Sequence, residues 1–237
     1  QGEAGGGEPM SEHRRQFLGW LGASTLLAVM GRRASAQSAA PQQGGGAGPA
    51  PISNKWDMSW VDRVRGDARA VFDLPEPGEG EGVWRAGRWR EDYEQVYGVK
   101  PNGLTAVLVI RHAAIQLIMD NEYWKRFDVG KKLGIKDPKT KKWVEANPVS
   151  SAHDGAPTDD DRYTIQYFIA HGGIVLACHL AFSGRVVSDF GKADKLGPEE
   201  AEASARERIV PGVILQPSGI FAALRAQQAG CAYIMAS

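Results

Sequence analysis

The chain has 237 residues with 28 basic and 28 acidic side chains, and 43% of its residues are hydrophobic. That suits one soluble globular domain with extensions, or at most two small domains. The neutral balance gives no reason to expect a nucleic-acid binder, and two cysteines do not make a disulfide framework.

The chain opens with text that does not read as fold. "HRRQFLGWLGASTLLAVMGRRASAQ" (13–37) sets Arg14-Arg15 before Phe17 and Leu18, continues through a modestly apolar run, and reaches Ala34-Ser35-Ala36. A basic start, a short apolar stretch and a small-x-small site make the layout of an export signal. The Arg-Arg-x-Phe-Leu order is similar to that of twin-arginine signals, with cleavage expected near Ala36 and an exported, periplasmic product. The apolar run is about 14 residues long, short of the roughly 20 that a spanning helix needs, so a membrane is expected only through the signal. Met10-Ser11 reads as a natural start, which leaves residues 1–9 as an extension. Residues 37–53, "QSAAPQQGGGAGPAPIS", lack bulky apolar side chains and read as a flexible tether. The folded domain is therefore expected over 54–237.

Within it, "ARAVFDLP" (68–75) reads as a strand and "GRWREDYEQVYG" (87–98) as an amphipathic helix. "LTAVLVIR" (104–111) is a continuous apolar run of the kind that forms a central strand covered on both faces. "HAAIQLIMDNEYWKRF" (112–127) reads as a helix, and 128–161 as a long charged insertion. That insertion is either a solvated loop or a lid or subunit contact. "DDDRYTIQYFIAHGG" (159–173) opens with acids and closes at glycines, as a helix does. "GIVLAC" (173–178), "GVILQP" (212–217) and "CAYIMA" (231–236) read as further strands. The helices between them are expected at 179–191, at 198–210 with Pro198 in its first turn, and at 218–230 with Ser218 as cap. This alternation predicts a doubly wound α/β domain with a mainly parallel sheet and Rossmann- or flavodoxin-like layering.

In such a sheet ligands bind outside the carboxyl ends of the strands. The rule selects Asp73, Arg111-His112, Cys178-His179 and Gln216-Pro217-Ser218 along one rim. Arg111, His112, His179, Gln216 and Ser218 are candidate ligand-binding residues, and Cys178 is the candidate nucleophile. A thiol at a helix start faces unpaired N–H groups and the positive dipole end, which favour the thiolate. The other reading is a small thiol packed behind the helix. Cys231 begins its strand and so belongs to the opposite edge. A strand of about five residues spans roughly 16 Å, beyond the ~7 Å between Cα atoms that a disulfide allows. No C-x-x-C, H-E-x-x-H, C-x-x-C-H, Walker A or G-x-G-x-x-G pattern is present, so neither a metal nor a cofactor is expected.

Four blocks, "AVFDLPEPGEGEGVWRAGRWREDYEQVYG", "AVLVIRHAAIQLIMDNEYWKRFDVGKKLGI", "GGIVLACHLAFSG" and "RERIVPGVILQPSGIFAALRAQQAGCAYI", resemble an exported DsrE/DsrF-like protein. The resemblance implies a trimer or hexamer and a function in carrying sulfur as a cysteine persulfide. Cys178 in "VLACHLA" stands where the reactive cysteine of that family lies, between an apolar strand and a helix. A protein that donates or accepts sulfur would be its partner. The alternatives are a non-catalytic oligomeric module of the cell envelope that binds a small ligand or partner, and a redox-sensing thiol.

Overall fold

The computed structural model describes residues 55–100, 103–151 and 156–237. The export signal, its cleavage site and the tether up to Ser53 lie outside the described residues. Five strands form one parallel sheet: β1 (Ala68–Leu74), β2 (Leu104–Ile110), β3 (Ile174–Cys178), β4 (Ile214–Gln216) and β5 (Ala232–Met235), in the order β4-β3-β2-β1-β5. The helices are α1 (Glu81–Tyr97), α2 (Asn121–Arg126), α3 (Val129–Leu133), α4 (Ile165–Ala170), α5 (His179–Phe182), α6 (Ser188–Asp194), α7 (Pro198–Arg206) and α8 (Gly219–Gln228). A π-helical turn at Ser183–Val187 joins α5 to α6.

Every residue of β2 and β3 is buried, which is why both read as unbroken apolar runs. Alternation then divides their side chains between two layers. Phe72, Leu74, Leu108, Ile110, Val175 and Ala177 join the cluster that buries α1 to α7. Val71, Val107, Val109, Ile174 and Leu176 join a smaller cluster with Trp60 and with Ala222, Ala223 and Ala226 of α8.

Three helical spans differ from the sequence expectation; the one read over 159–173 is a 3-10 turn at Asp159–Asp161 followed by α4, capped by Thr164. α1 begins at Glu81 rather than at residue 87, and its first turn places Gly82 against Leu74. A Cβ at Gly82 would come within 2.4 Å of the Leu74 side chain, so the glycine that weakens helix propensity is the one that lets the helix dock. The single helix expected over 112–127 is instead a 3-10 segment, His112–Ile118, followed by α2. Ala114 to Met119 are all buried, so there is no solvent face to support an amphipathic helix. Extended Met119 bridges to Ile209, and the Asp120 carboxylate restarts the helix by accepting the Tyr123 N–H at 2.8 Å.

In the insertion, α3 is followed by an antiparallel bridge between Lys136 and Trp143. The Asp137 carboxylate closes the turn between them by accepting the N–H groups of Lys139 and Thr140.

The routing of the connections locates the crevice. The chain leaves the carboxyl ends of β1, β2 and β3 toward the layer of α1 to α7, whereas it leaves β4 toward α8 on the other face. Neighbouring strands whose connections part in this way open a crevice at their carboxyl ends. Here those strands are β3 and β4, which end at the paired residues Cys178 and Gln216.

Candidate functional site

Cys178 is 7% exposed and caps α5, its sulfur accepting the Ala181 N–H at 3.4 Å. The contact places the sulfur at a helix start, where unpaired donors stabilise negative charge. Ile110 pairs with Ala177, so Arg111 at the end of β2 follows the same rim beside Cys178.

Arg111 is held by two elements. Its Nε and Nη2 donate to the two oxygens of Asp73 at 2.8 and 2.9 Å, and Asp73 is 2% exposed. The Tyr233 hydroxyl donates to the same carboxylate at 2.7 Å. On its other side the Arg111 stem lies against Gly219, where a Cβ would come within 2.5 Å of Cδ. The hydrogen bond to Asp73 holds the guanidinium above its ordinary value. Burial opposes that shift, and Coulombic attraction to Asp73 adds to it. Arg111 and Cys178 thus follow neighbouring strands at the same rim. The Tyr233 phenol is pushed up as well, chiefly by the bond it donates to Asp73.

Gln216 is fully buried. Its Nε2 donates to the main-chain carbonyls of Asp57 at 2.8 Å and Leu215 at 3.1 Å. Its Oε1 is one of three buried side-chain polar atoms without a hydrogen-bond partner among the described residues. Ser218 caps α8, its Oγ accepting the Phe221 N–H at 3.1 Å.

The two histidines next to the rim are engaged elsewhere. His112 sits at a φ of 51° and pairs its Nδ1 with Glu76 at 3.1 Å, both side chains being solvent-exposed. His179 donates from Nε2 to Glu202 at 3.1 Å and meets the Trp56 ring edge-to-face at 5.2 Å. Glu202 is held below the usual carboxylate range, first by this bond from His179 and then by the bond from Arg206. A lowered carboxylate contributes stability that is complete above its unfolded value and lost as pH falls through its folded one. Glu202→Gln is therefore expected to flatten the fall in thermal midpoint just below about pH 4.3. An unchanged acid limb would remove the His179–Glu202 pair from that account.

Both cysteines are free and buried. Burial pushes the Cys231 thiol up to about 11. No group of three His, Cys, Asp or Glu side chains among the described residues could hold a metal ion. A groove of about 700 Å³ runs between the start of α2, α4 and residues 207–211.

Three contributors to the site carry no motif: Tyr233, Gly219 and the Trp56–Asp57 segment. Each reaches the rim through strand order or chain crossing, neither of which local sequence encodes. The structure defines a doubly wound α/β protein with a thiol, an Arg–Asp–Tyr network centred on buried Asp73 and a buried amide along one rim. No protein-family model matches the chain, and no curated protein is similar to it.

Proposed function

We propose that this is an exported DsrE-like sulfur carrier in which Cys178 is the persulfide site. The observation that carries the reading is the position of Cys178. It ends a central strand beside β4, its sulfur meets the first turn of a helix, and Arg111 follows the neighbouring strand at the same rim. The Cys178 thiolate attacks the outer sulfur of a donor persulfide, forming Cys178–S–S⁻ and releasing the donor as a thiolate. An acceptor thiolate then takes the outer sulfur and returns Cys178 to its starting state, so no external oxidant or reductant enters the cycle. Arg111 stabilises the thiolate and the persulfide anion, because it stays charged and keeps its position through Asp73.

Incubation with a low-molecular-weight persulfide, followed by intact-mass measurement, tests the reading. One added sulfur on the parent and none on Cys178→Ser is the expected result. An unloaded parent beside a loaded control thiol would refute it. Homo-oligomerisation belongs to the same proposal. It is supported by the exposed apolar side chains of Ile220 and Leu224 on α8 and of Tyr233 and Met235 on edge strand β5.

The burial of Cys178 favours a second reading, a non-catalytic binding module of the cell envelope. On that reading Cys178→Ser leaves ligand binding and oligomeric state intact, and the parent takes up no sulfur.

A further inference from the structure

The protein itself crosses the ends of β3 and β4 beside Cys178. Residues Lys55 to Met58 enter the domain across the ends of β3 and β4. The Trp56 indole packs on the His179 ring just beyond β3, and the Asp57 carbonyl accepts from Gln216 at the end of β4. Trp56 also packs against the core cluster that contains Cys178. Past the crossing, the Asp57 carboxylate accepts the N–H and hydroxyl of Ser59 at 2.9 and 2.6 Å, which turns the chain down toward fully buried Trp60. The strap thus touches both residues that flank the thiol and is anchored on one side.

Its fit is incomplete at one atom. Gln216 Nε2 donates to the strap, whereas Gln216 Oε1 is buried without a donor among the described residues. A buried carbonyl without a donor is unfavourable, and a segment that supplied an N–H as well as a C=O would bind better than the strap does. We propose that the crevice between α5 and α8 is a peptide-binding site, that Lys55–Met58 is its resident occupant, and that an extended segment of a partner protein displaces it to uncover Cys178. The ligand class is an extended main chain with an aromatic side chain for the His179 ring and a carbonyl for Gln216 Nε2. The proposal rests on the reading of Cys178 as the working thiol, because it assigns the segment that controls access to it.

The test is alkylation of the full chain near neutral pH, followed by mass spectrometry, with buried Cys231 as internal reference. Trp56→Ala is expected to raise the Cys178 rate at least about tenfold and to leave Cys231 unchanged. Gln216→Met removes the anchor while keeping side-chain volume, and is expected to act in the same direction should Trp56→Ala fold poorly. The peptide SNKWDMSW, which copies residues 53–60, is expected to restore protection to the Trp56→Ala protein. The same peptide with alanine for its first tryptophan is expected not to. Equal Cys178 rates in parent and variants would overturn the proposal, as would a parallel rise at Cys231. So would a parent-sequence peptide that gives no protection. Alkylation does not depend on sulfur uptake, so a thiol that is gated but never loads sulfur would refute the carrier reading and leave the strap in place.

Discussion

Replacing Asp73 by alanine is expected to lower the unfolding free energy by about 3 kcal/mol, the low end for breaking a buried ion pair by removing one partner. The Asp73 side chain is 3% exposed and accepts three hydrogen bonds, two from Arg111 and one from Tyr233. Without it the guanidinium, whose side chain is only 27% exposed, keeps its charge and loses its partner. The low end is chosen because that residual exposure lets water recover part of the interaction. Urea unfolding followed by circular dichroism measures the loss, and a loss below about 1 kcal/mol would mean that water replaces the carboxylate. Asp73→Asn is expected to cost less, since the amide oxygen still accepts. The substitution also reaches the chemistry. On the proposed carrier reading, an Arg111 released from its fork no longer holds its charge at the rim, and sulfur uptake is expected to slow even in molecules that remain folded.

Gly219→Val is expected to be the second large effect, costing about 1–3 kcal/mol through overpacking. A Cβ at residue 219 would stand 2.5 Å from Arg111 Cδ and 2.6 Å from its Cβ. These are stem atoms, and Asp73 pins the far end of the same side chain, so Arg111 has nowhere to yield. That account makes a quantitative claim about coupling. In an Asp73→Ala background the arginine can swing aside, and Gly219→Val should cost at least about 0.5 kcal/mol less than in the parent. Identical costs in the two backgrounds would show that the clash is with the backbone of β2 rather than with a tethered side chain.

Much of this architecture is legible in the chain before it folds. The runs ending at Asp73-Leu74, Arg111, Cys178 and Gln216 stand out because buried parallel strands need continuous apolar text. The break from apolar to polar residues marks their carboxyl ends. The helix breaks are less legible. Residues 114–119 carry the composition of a helix, yet burial on every side and the bridge from Met119 to Ile209 draw them into a tighter and then an extended path. Tyr233 illustrates the limit for the site. Its link to Asp73 spans 160 positions and exists only because β5 pairs with β1 rather than with β4.

Local pattern therefore determined which residues form strands and which of them stand at the carboxyl rim, because alternation and the strand-to-helix handover are short-range properties. Tertiary structure alone decided strand order, the layer each crossover covers, and hence that the crevice opens between Cys178 and Gln216. It also decided that residues 55–58 cross that crevice, with Trp56 on His179 and the Asp57 carbonyl on Gln216. Those outcomes depend on how whole layers bury against one another. The free energy of that burial is shared over many distant contacts and is written in no single stretch of the chain.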